Sequence, residues 1–338
     1  MSQIKPSMRA AYLEAYGSVD RFQIGELPVP TAGPGEVLIQ LTHADVAVWD
    51  LEEREGRLAE MAEQIHGRPP TFPLVPGSDG AGTVAAVGEG ADPAWVGEPV
   101  YAGCFLNPKG GFYAEYAVVP EVNVSRTPAQ LDQASASVLA GDGATAMTGL
   151  ADVLKLQAGE SILILGAGGG IGHLALQLAQ RMGARTLAVA SGADGVALTQ
   201  RLGADRSIDG RRDDILAAAR DFAPDGIDTV LLTAGGPAAD QSLQTLRPDG
   251  RAAYPNGIES VPDAPTGIRL DSYDGDDSAG LLQQMNLLIE LDTDPAFHVE
   301  IARTFPLEDV VEAHRMLEQH YLGKLVMRIN HQDRSGVV

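Results

Sequence analysis

The strongest chemical signal in the chain is the run SILILGAGGGIGHLALQLA, residues 161–179. A continuous apolar strand ends at Leu165, a glycine-rich turn follows, and an amphipathic helix opens near Ile171. Gly166 permits the tight turn, Gly169 lets the backbone approach a pyrophosphate, and Gly172 lets helix and strand pack closely. Ala167 and Gly168 complete the turn, and the first helical N–H groups, from Gly170 and Ile171 onward, face the anion with the helix dipole behind them. Strand, turn and helix fall within one βαβ unit, which is the context a dinucleotide site requires.

The next strand, TLAVA, bears on which nicotinamide is bound. An NAD site places an acid about 20 residues beyond the first glycine, at the end of the second strand, to take the ribose hydroxyls. Ala190 and Ser191 stand there instead. Without that carboxylate nothing repels a 2′-phosphate. Ser191 can donate to it, and Arg211 and Arg212 in DGRRDD are candidates to reach it, unless they pair with Asp213 and Asp214. NADP(H) is therefore favoured over NAD(H).

These residues need elements to position them. From about Pro128 onward, strands alternate with helices of 10 to 15 residues (HLALQLAQRMG, TLAVA, DGVALTQRLG, SID, DDILAAARDFA, DTVLLTA, ADQSLQTLRP, RAAYPNG), the pattern of a doubly wound parallel sheet. The first third is β-rich, with short alternating runs such as EVLIQLTHA and AGTVAAVG punctuated by Gly and Pro clusters. One charged stretch within it, residues 50–64, has helical spacing, and GGFYAEYAVV reads as a strand. Near the C-terminus GLLQQMNLLIELD and FPLEDVVEAHRMLEQ read as helices, GKLVMRI as a strand and HQDRSGVV as a frayed tail.

With 338 residues, 44% of them apolar and 21% charged, the chain has room for two domains with real cores. A formal charge of −22 disfavours nucleic acid and anionic lipid as partners. The single cysteine, Cys104, can make neither an internal disulfide nor a multi-cysteine zinc site. No apolar run approaches the ~18 residues of a membrane span, and the N-terminal residues lack the apolar core of a signal peptide. The expectation is a soluble, cytoplasmic protein acting on a small molecule.

The ordered series GPGEVLIQL, PLVPGSDGAGTVAAVGEG, GGFYAEYAVVP, GAGGGIG, LGADRSIDG and GKLVMRI resembles the medium-chain dehydrogenase/reductase superfamily, in particular its zinc-independent quinone oxidoreductase branch. The resemblance runs from about Met8 to Ile329. It implies an α/β protein with a GroES-like β-barrel catalytic domain (residues 1–127 and 296–338), a Rossmann domain (128–295), an active cleft at their junction, and a homodimer. Zinc-dependent members hold the metal on a cysteine, a histidine and a second cysteine; by motif these positions fall on Ala47, Ser78 and Asp142. Ala47 has no ligand atom and Ser78 is a poor one, so no catalytic zinc is expected. His43, His298, His314 and His320 stand at no metal-ligand spacing and are expected to be structural.

The chain also departs from the quinone-reductase pattern. Ala47 replaces the usual asparagine, Trp49 replaces the hydroxyl residue of the alcohol-dehydrogenase relay, and Gly195 or a neighbour replaces a lysine. The resemblance places Ala47, Trp49 and Asp50 on the first catalytic loop, with Asp142 and Thr145 at the start of the helix after the barrel and Asn256 after the sixth strand; it makes Thr145, Ala234 and Asn256 candidate cofactor contacts. Trp49 is expected to wall an apolar acceptor pocket, and Asp50 to orient neighbouring backbone. Asp142 is expected to act either as proton donor or as N-cap of GATAMTGL, and Tyr113 to pack. Without a Lewis acid, hydride transfer to an already activated acceptor is the feasible chemistry. The expected activity is NADPH-dependent reduction of a quinone or an activated alkene or carbonyl. An enoyl-thioester reductase and a non-catalytic NADPH-binding sensor or scaffold are the alternatives.

Overall fold

The computed structural model describes residues 4–261, 263–275 and 278–329, so the C-terminal HQDRSGVV lies outside the described residues. The chain forms two compact units, one holding the segment up to Gly141 and the segment from Ile301, the other most of the chain between. The units part at Gly141/Asp142 and close to Ile301, where the resemblance implied 127/128 and 295/296. Two local causes account for the difference. The Asp79 carboxylate takes the Gly141 N–H at 2.9 Å, holding that segment to the first unit. His298 N–H donates to Gln177 and the Pro295 carbonyl accepts from Arg181, which ties residues 295–300 to the second.

In the first unit, β1 (Ser7–Tyr12) and β2 (Gln23–Pro28) form an antiparallel pair. β3 (Glu36–Val46), β4 (Asp79–Val87), β5 (Pro99–Gly103), β6 (Tyr116–Pro120) and β7 (Val124–Arg126) belong to a seven-stranded sheet with two C-terminal strands. The six strands of the second unit are β8 (Ser161–Leu165), β9 (Arg185–Ala190), β10 (Arg206–Asp209), β11 (Ile227–Leu232), β12 (Leu246–Pro255) and β13 (Arg269–Tyr273). β14 (Ile301–Pro306) and β15 (Lys324–Arg328) return to the first sheet, where β15 lies between β14 and β3. β3 is the hub of that sheet, pairing with β4, β6 and β15, and its inner face joins one apolar core with Phe112, Phe305 and Met327.

Lys324, at the start of β15, is buried and makes an ion pair with the equally buried Asp45 at 2.8 Å. Its ammonium also stands 5.7 Å from the Trp49 ring. The expected helix over residues 50–64 is two helices, α1 (Val48–Glu55) and α2 (Ala59–His66). Helical spacing continues across the junction, but Gly56 takes φ = 81° and stops the first helix in a left-handed cap. The strand expected at GGFYAEYAVV is confined to Tyr116–Pro120, with one isolated bridge at Ala114.

The second unit is the expected parallel sheet, in the order β10-β9-β8-β11-β12-β13. β8 and β9 are buried almost throughout, which explains their unbroken apolar runs. The order reverses between β8 and β11, and in such sheets ligands bind outside the carboxyl ends of the strands at that crevice. Gly166 and Thr233–Ala234 follow those two ends directly. Among the described residues no helix is long and apolar enough to cross a membrane.

Candidate active site

Gly166 leaves β8 with φ = 80°, and a Cβ there would lie 2.4 Å from the Thr233 hydroxyl. At Gly172 a Cβ would lie 2.2 Å from the Gly166 carbonyl, so the helix Gly170–Arg181 approaches the turn as closely as backbone allows. Gly169 differs: its backbone is extended, and the nearest atom to a Cβ would be Gly166 O at 3.4 Å. Protein packing does not require glycine at 169, and its bare backbone leaves room for a ligand to approach. No side chain caps this helix, so its leading N–H groups remain for an anion. The residues therefore fit a dinucleotide pyrophosphate. His173, which the motif does not flag, fixes the turn from beneath. Its Nε2 accepts the Glu300 N–H at 3.2 Å, which requires the hydrogen on Nδ1, and that nitrogen donates to the Gly169 carbonyl at 2.8 Å.

At the ribose end Ser191 precedes the helix Gly192–Arg201 without capping it, so its hydroxyl is not spent on the helix. The strand register adds an acid that sequence reading missed. Asp209 pairs with Ala190 across β10 and β9, and its Oδ1 accepts the N–H groups of Gly192 (3.1 Å) and Arg211 (3.0 Å). Those two backbone bonds lower its pKa below the usual carboxylate value. Asp213 and Asp214 do not pair with the arginines: Asp213 accepts the Asp209 N–H and Asp214 caps the helix Ile215–Phe222. The Arg212 guanidinium stands 3.8 Å from Asp209, and the Arg211 side chain is exposed. Ala234 is exposed beyond β11. Thr145 packs beside Gly275, and the Asn256 amide donates to Asp274 at 2.8 Å.

On the first unit, Asp50 is almost completely buried on α1, and its Oδ2 accepts the Ala47 N–H (2.9 Å) and the Tyr113 hydroxyl (2.8 Å). It therefore caps α1 and fixes the turn that carries Ala47 and Trp49. The half-buried Trp49 has an indole N–H with no acceptor among the described residues. Burial, then the Asp50 charge, pushes the Tyr113 hydroxyl well above its ordinary value. Asp142 is buried within the wide helical turn Leu139–Gly143, not at a helix N-terminus. The N-cap alternative is thereby corrected: Gly143 and the residues before it are already helical, so no free N–H end lies at Asp142 to be capped.

Two family models match the chain: "Alcohol dehydrogenase GroES-like domain" over residues 33–129 and "Zinc-binding dehydrogenase" over residues 170–259. The chain belongs to the medium-chain dehydrogenase/reductase superfamily. Among its relatives in this superfamily is the rat "Synaptic vesicle membrane protein VAT-1 homolog", 29% identical over 73% of this chain and 58% of that protein's length. The chain thus spans less than two thirds of that relative. A second, the Arabidopsis thaliana "NADPH-dependent alkenal/one oxidoreductase, chloroplastic", is 29% identical over 96% of this chain and 81% of its own. A solved structure described as an NAD-dependent alcohol dehydrogenase superposes with a TM-score of 0.84 at 26% identity, covering 96% of this chain and all of that one.

The superfamily's zinc chemistry does not fit the residues present here. Ala47 offers a methyl group and Ser78 a hydroxyl, which leaves Asp142 as the only strong donor of the three matched positions. Among the described residues no group of three or more His, Cys, Asp or Glu side chains is placed to hold a metal. His298 pairs with Glu300 on the surface. The buried His314 lies between Phe22 and Tyr113, and burial, then the Arg54 charge, pushes its pKa down to about 3. His43 lies 3.3 Å from the Thr42 hydroxyl.

Glu53 is a further buried acid that the sequence did not single out. Burial, then the charge of Asp50 one turn away, pushes its pKa up to about 8, against the Gly77 N–H, which pulls it down. Below about pH 4.5 folded and unfolded chains both hold this proton; between there and about 8 only the folded chain does. Its contribution to stability is thus full in acid and is lost as pH rises through 8. Glu53→Gln should raise the melting temperature by about 5 °C or more near pH 8.5 and change it little near pH 5. Equal shifts at both pH values in a thermal-denaturation series would contradict the assignment.

Proposed function

We propose that the chain is a zinc-independent, NADPH-dependent reductase of quinones or other activated alkenes and carbonyls. The observation that carries this reading is the pairing of a dinucleotide turn kept open at Gly169 with a metal-ligand set reduced to Ala47, Ser78 and Asp142. The alkenal/one oxidoreductase relative supports the same substrate class and cofactor. When bound, the nicotinamide supplies the hydride. The chain's own residues bind, orient and protonate. The turn Gly166–Gly172 holds the pyrophosphate, while Ser191 and Arg211 take the 2′-phosphate. The Asp209 carboxylate beside Ala190 is held by the Gly192 and Arg211 N–H groups and offset by the Arg212 guanidinium 3.8 Å away. Asp50, braced by Tyr113, fixes the Ala47–Trp49 turn, and Trp49 gives the acceptor an apolar wall. Asp142 returns the proton that completes reduction of the acceptor.

Steady-state NADPH oxidation with a panel of quinones, 2-alkenals and enones, run beside elemental analysis for zinc, tests the proposal. Turnover with at least one acceptor and no stoichiometric zinc are expected. Tight NADPH binding with no turnover on any acceptor would leave a dinucleotide-binding sensor, and one zinc per chain would sink the ligand argument. The cofactor preference has its own test. A charge-assisted hydrogen bond is worth roughly 1.5–3 kcal/mol, so Arg211→Ala should weaken NADPH binding by about 10- to 100-fold and leave NADH binding nearly unchanged. Fluorescence titration measures both; an equal loss for the two dinucleotides would place Arg211 away from the 2′-phosphate.

A further inference from the structure

A cavity of about 330 Å³ lies wholly within the first unit, lined by α1, α2, the end of β2, residues 68–75 and residues 106–110. Its walls include none of Ala47, Trp49, Ser78, Asp142 or the glycine turn. α2 contributes the small side chains of Ala59 and Ala62 to the cavity wall, together with His66. The volume falls at the small end of the range of ordinary ligand pockets, roughly 300–1,000 Å³.

The walls are rich in proline, with six among the lining residues, so much of the nearby backbone has no N–H to offer. The polar side chains on the walls are mostly committed. Asn107 donates to the Val118 carbonyl, His66 lies 3.2 Å from the Phe105 carbonyl, Arg68 donates to the Pro108 carbonyl, and Lys109 is paired with Glu36. Glu53 differs: the hydrogen bond to its carboxyl group among the described residues comes from the Gly77 backbone N–H, and Tyr16 lines the cavity beside it. Glu53 is only 8% exposed, lines the cavity, and has no cationic partner among the described residues. The titratable groups facing it are Asp50 on its own helix and the hydroxyls of Tyr16 and Tyr113. None is a cation.

We propose that this cavity is a second ligand site, which takes a small, uncharged, largely apolar molecule whose carbonyl oxygen accepts a hydrogen bond from the Glu53 carboxyl group. Burial beside Asp50 keeps that group protonated at neutral pH, which makes it a donor. Near Glu53 the Asp50 charge disfavours an anion, while the basic wall residues Arg68 and Lys109 are exposed and Lys109 is already paired with Glu36. A cation would enter only by first displacing the Glu53 proton, so a neutral acceptor is the natural occupant.

The test uses the full chain and ¹⁹F NMR titration with 4-fluoroacetophenone as the neutral probe, with 4-fluorobenzoate and 4-fluorobenzylamine as the charged controls. The ketone should bind and the two ions should not. Ala62→Phe, which fills the cavity, should abolish binding. Glu53→Gln, which keeps an N–H donor, should retain it, and Glu53→Leu should weaken it about tenfold or more. NADPH titration on each variant confirms that it is folded, and none of these readouts needs turnover. A chain without reductase activity would therefore still answer the question, and failure here would leave the reductase proposal standing. Ketone binding undiminished in both Ala62→Phe and Glu53→Leu, preferential binding of either ion, or no binding of the ketone by the parent chain would overturn the proposal.

Discussion

Gly169→Asp is expected to abolish dinucleotide binding while leaving the melting temperature close to that of the parent protein. The extended backbone at 169 suits any residue, and a Cβ there touches no protein atom closer than 3.4 Å. The new side chain nevertheless projects where the pyrophosphate lies, bringing both bulk and a negative charge to a site that works by presenting bare N–H groups. Gly172→Ala makes the informative contrast. Its Cβ would meet the Gly166 carbonyl at 2.2 Å, so that change should damage folding first and binding only as a consequence. Isothermal titration with NADPH, run beside thermal denaturation, separates the two. Undiminished NADPH affinity in Gly169→Asp would refute this reading of the turn.

Asp142→Asn is expected to lower turnover by about 10²–10⁴-fold, the ordinary cost of losing a general acid, with NADPH affinity and melting temperature nearly unchanged. Asparagine keeps the size and an N–H donor but has no transferable proton. Because Asp142 stands within a helical turn and not at its start, no capping energy is lost by the change. Any fall in kcat therefore reports on proton delivery. Near-parental turnover on the best acceptor of the quinone and enone panel would remove Asp142 from the mechanism and leave water as the donor.

What could be read from the sequence was what is encoded locally. The turn after Leu165 declares itself because strand, glycines and helix are contiguous, and the parallel sheet declares itself through buried apolar runs at regular intervals. β13 and β14 were not legible. Each is an edge strand, RLDSY and IARTFP, largely solvated on both sides, so neither carries an apolar alternation. Asp209 could not be recognised from its own neighbourhood, since its place beside Ala190 follows from the pairing of β10 with β9. The electrostatic surroundings of Glu53 likewise include residues distant in sequence, Gly77 and Tyr113 among them. Helical spacing predicted one element across Gly56 because a period of 3.6 cannot register a single left-handed residue.

The position of β15 between β3 and β14 also sets a timetable for the nascent chain. Val46 finds its partner only when Leu325 has been made, and at roughly 5–20 residues per second that wait is on the order of 15–60 s. Throughout it the hub strand of the first sheet has an open flank, a template for pairing with another nascent chain. All six strands of the second sheet, by contrast, come from one unbroken stretch and can pair as soon as it has emerged. The first unit is thus begun first and finished last, and slow or interrupted translation over the final residues should cost this protein more yield than the same delay placed between the two sheets.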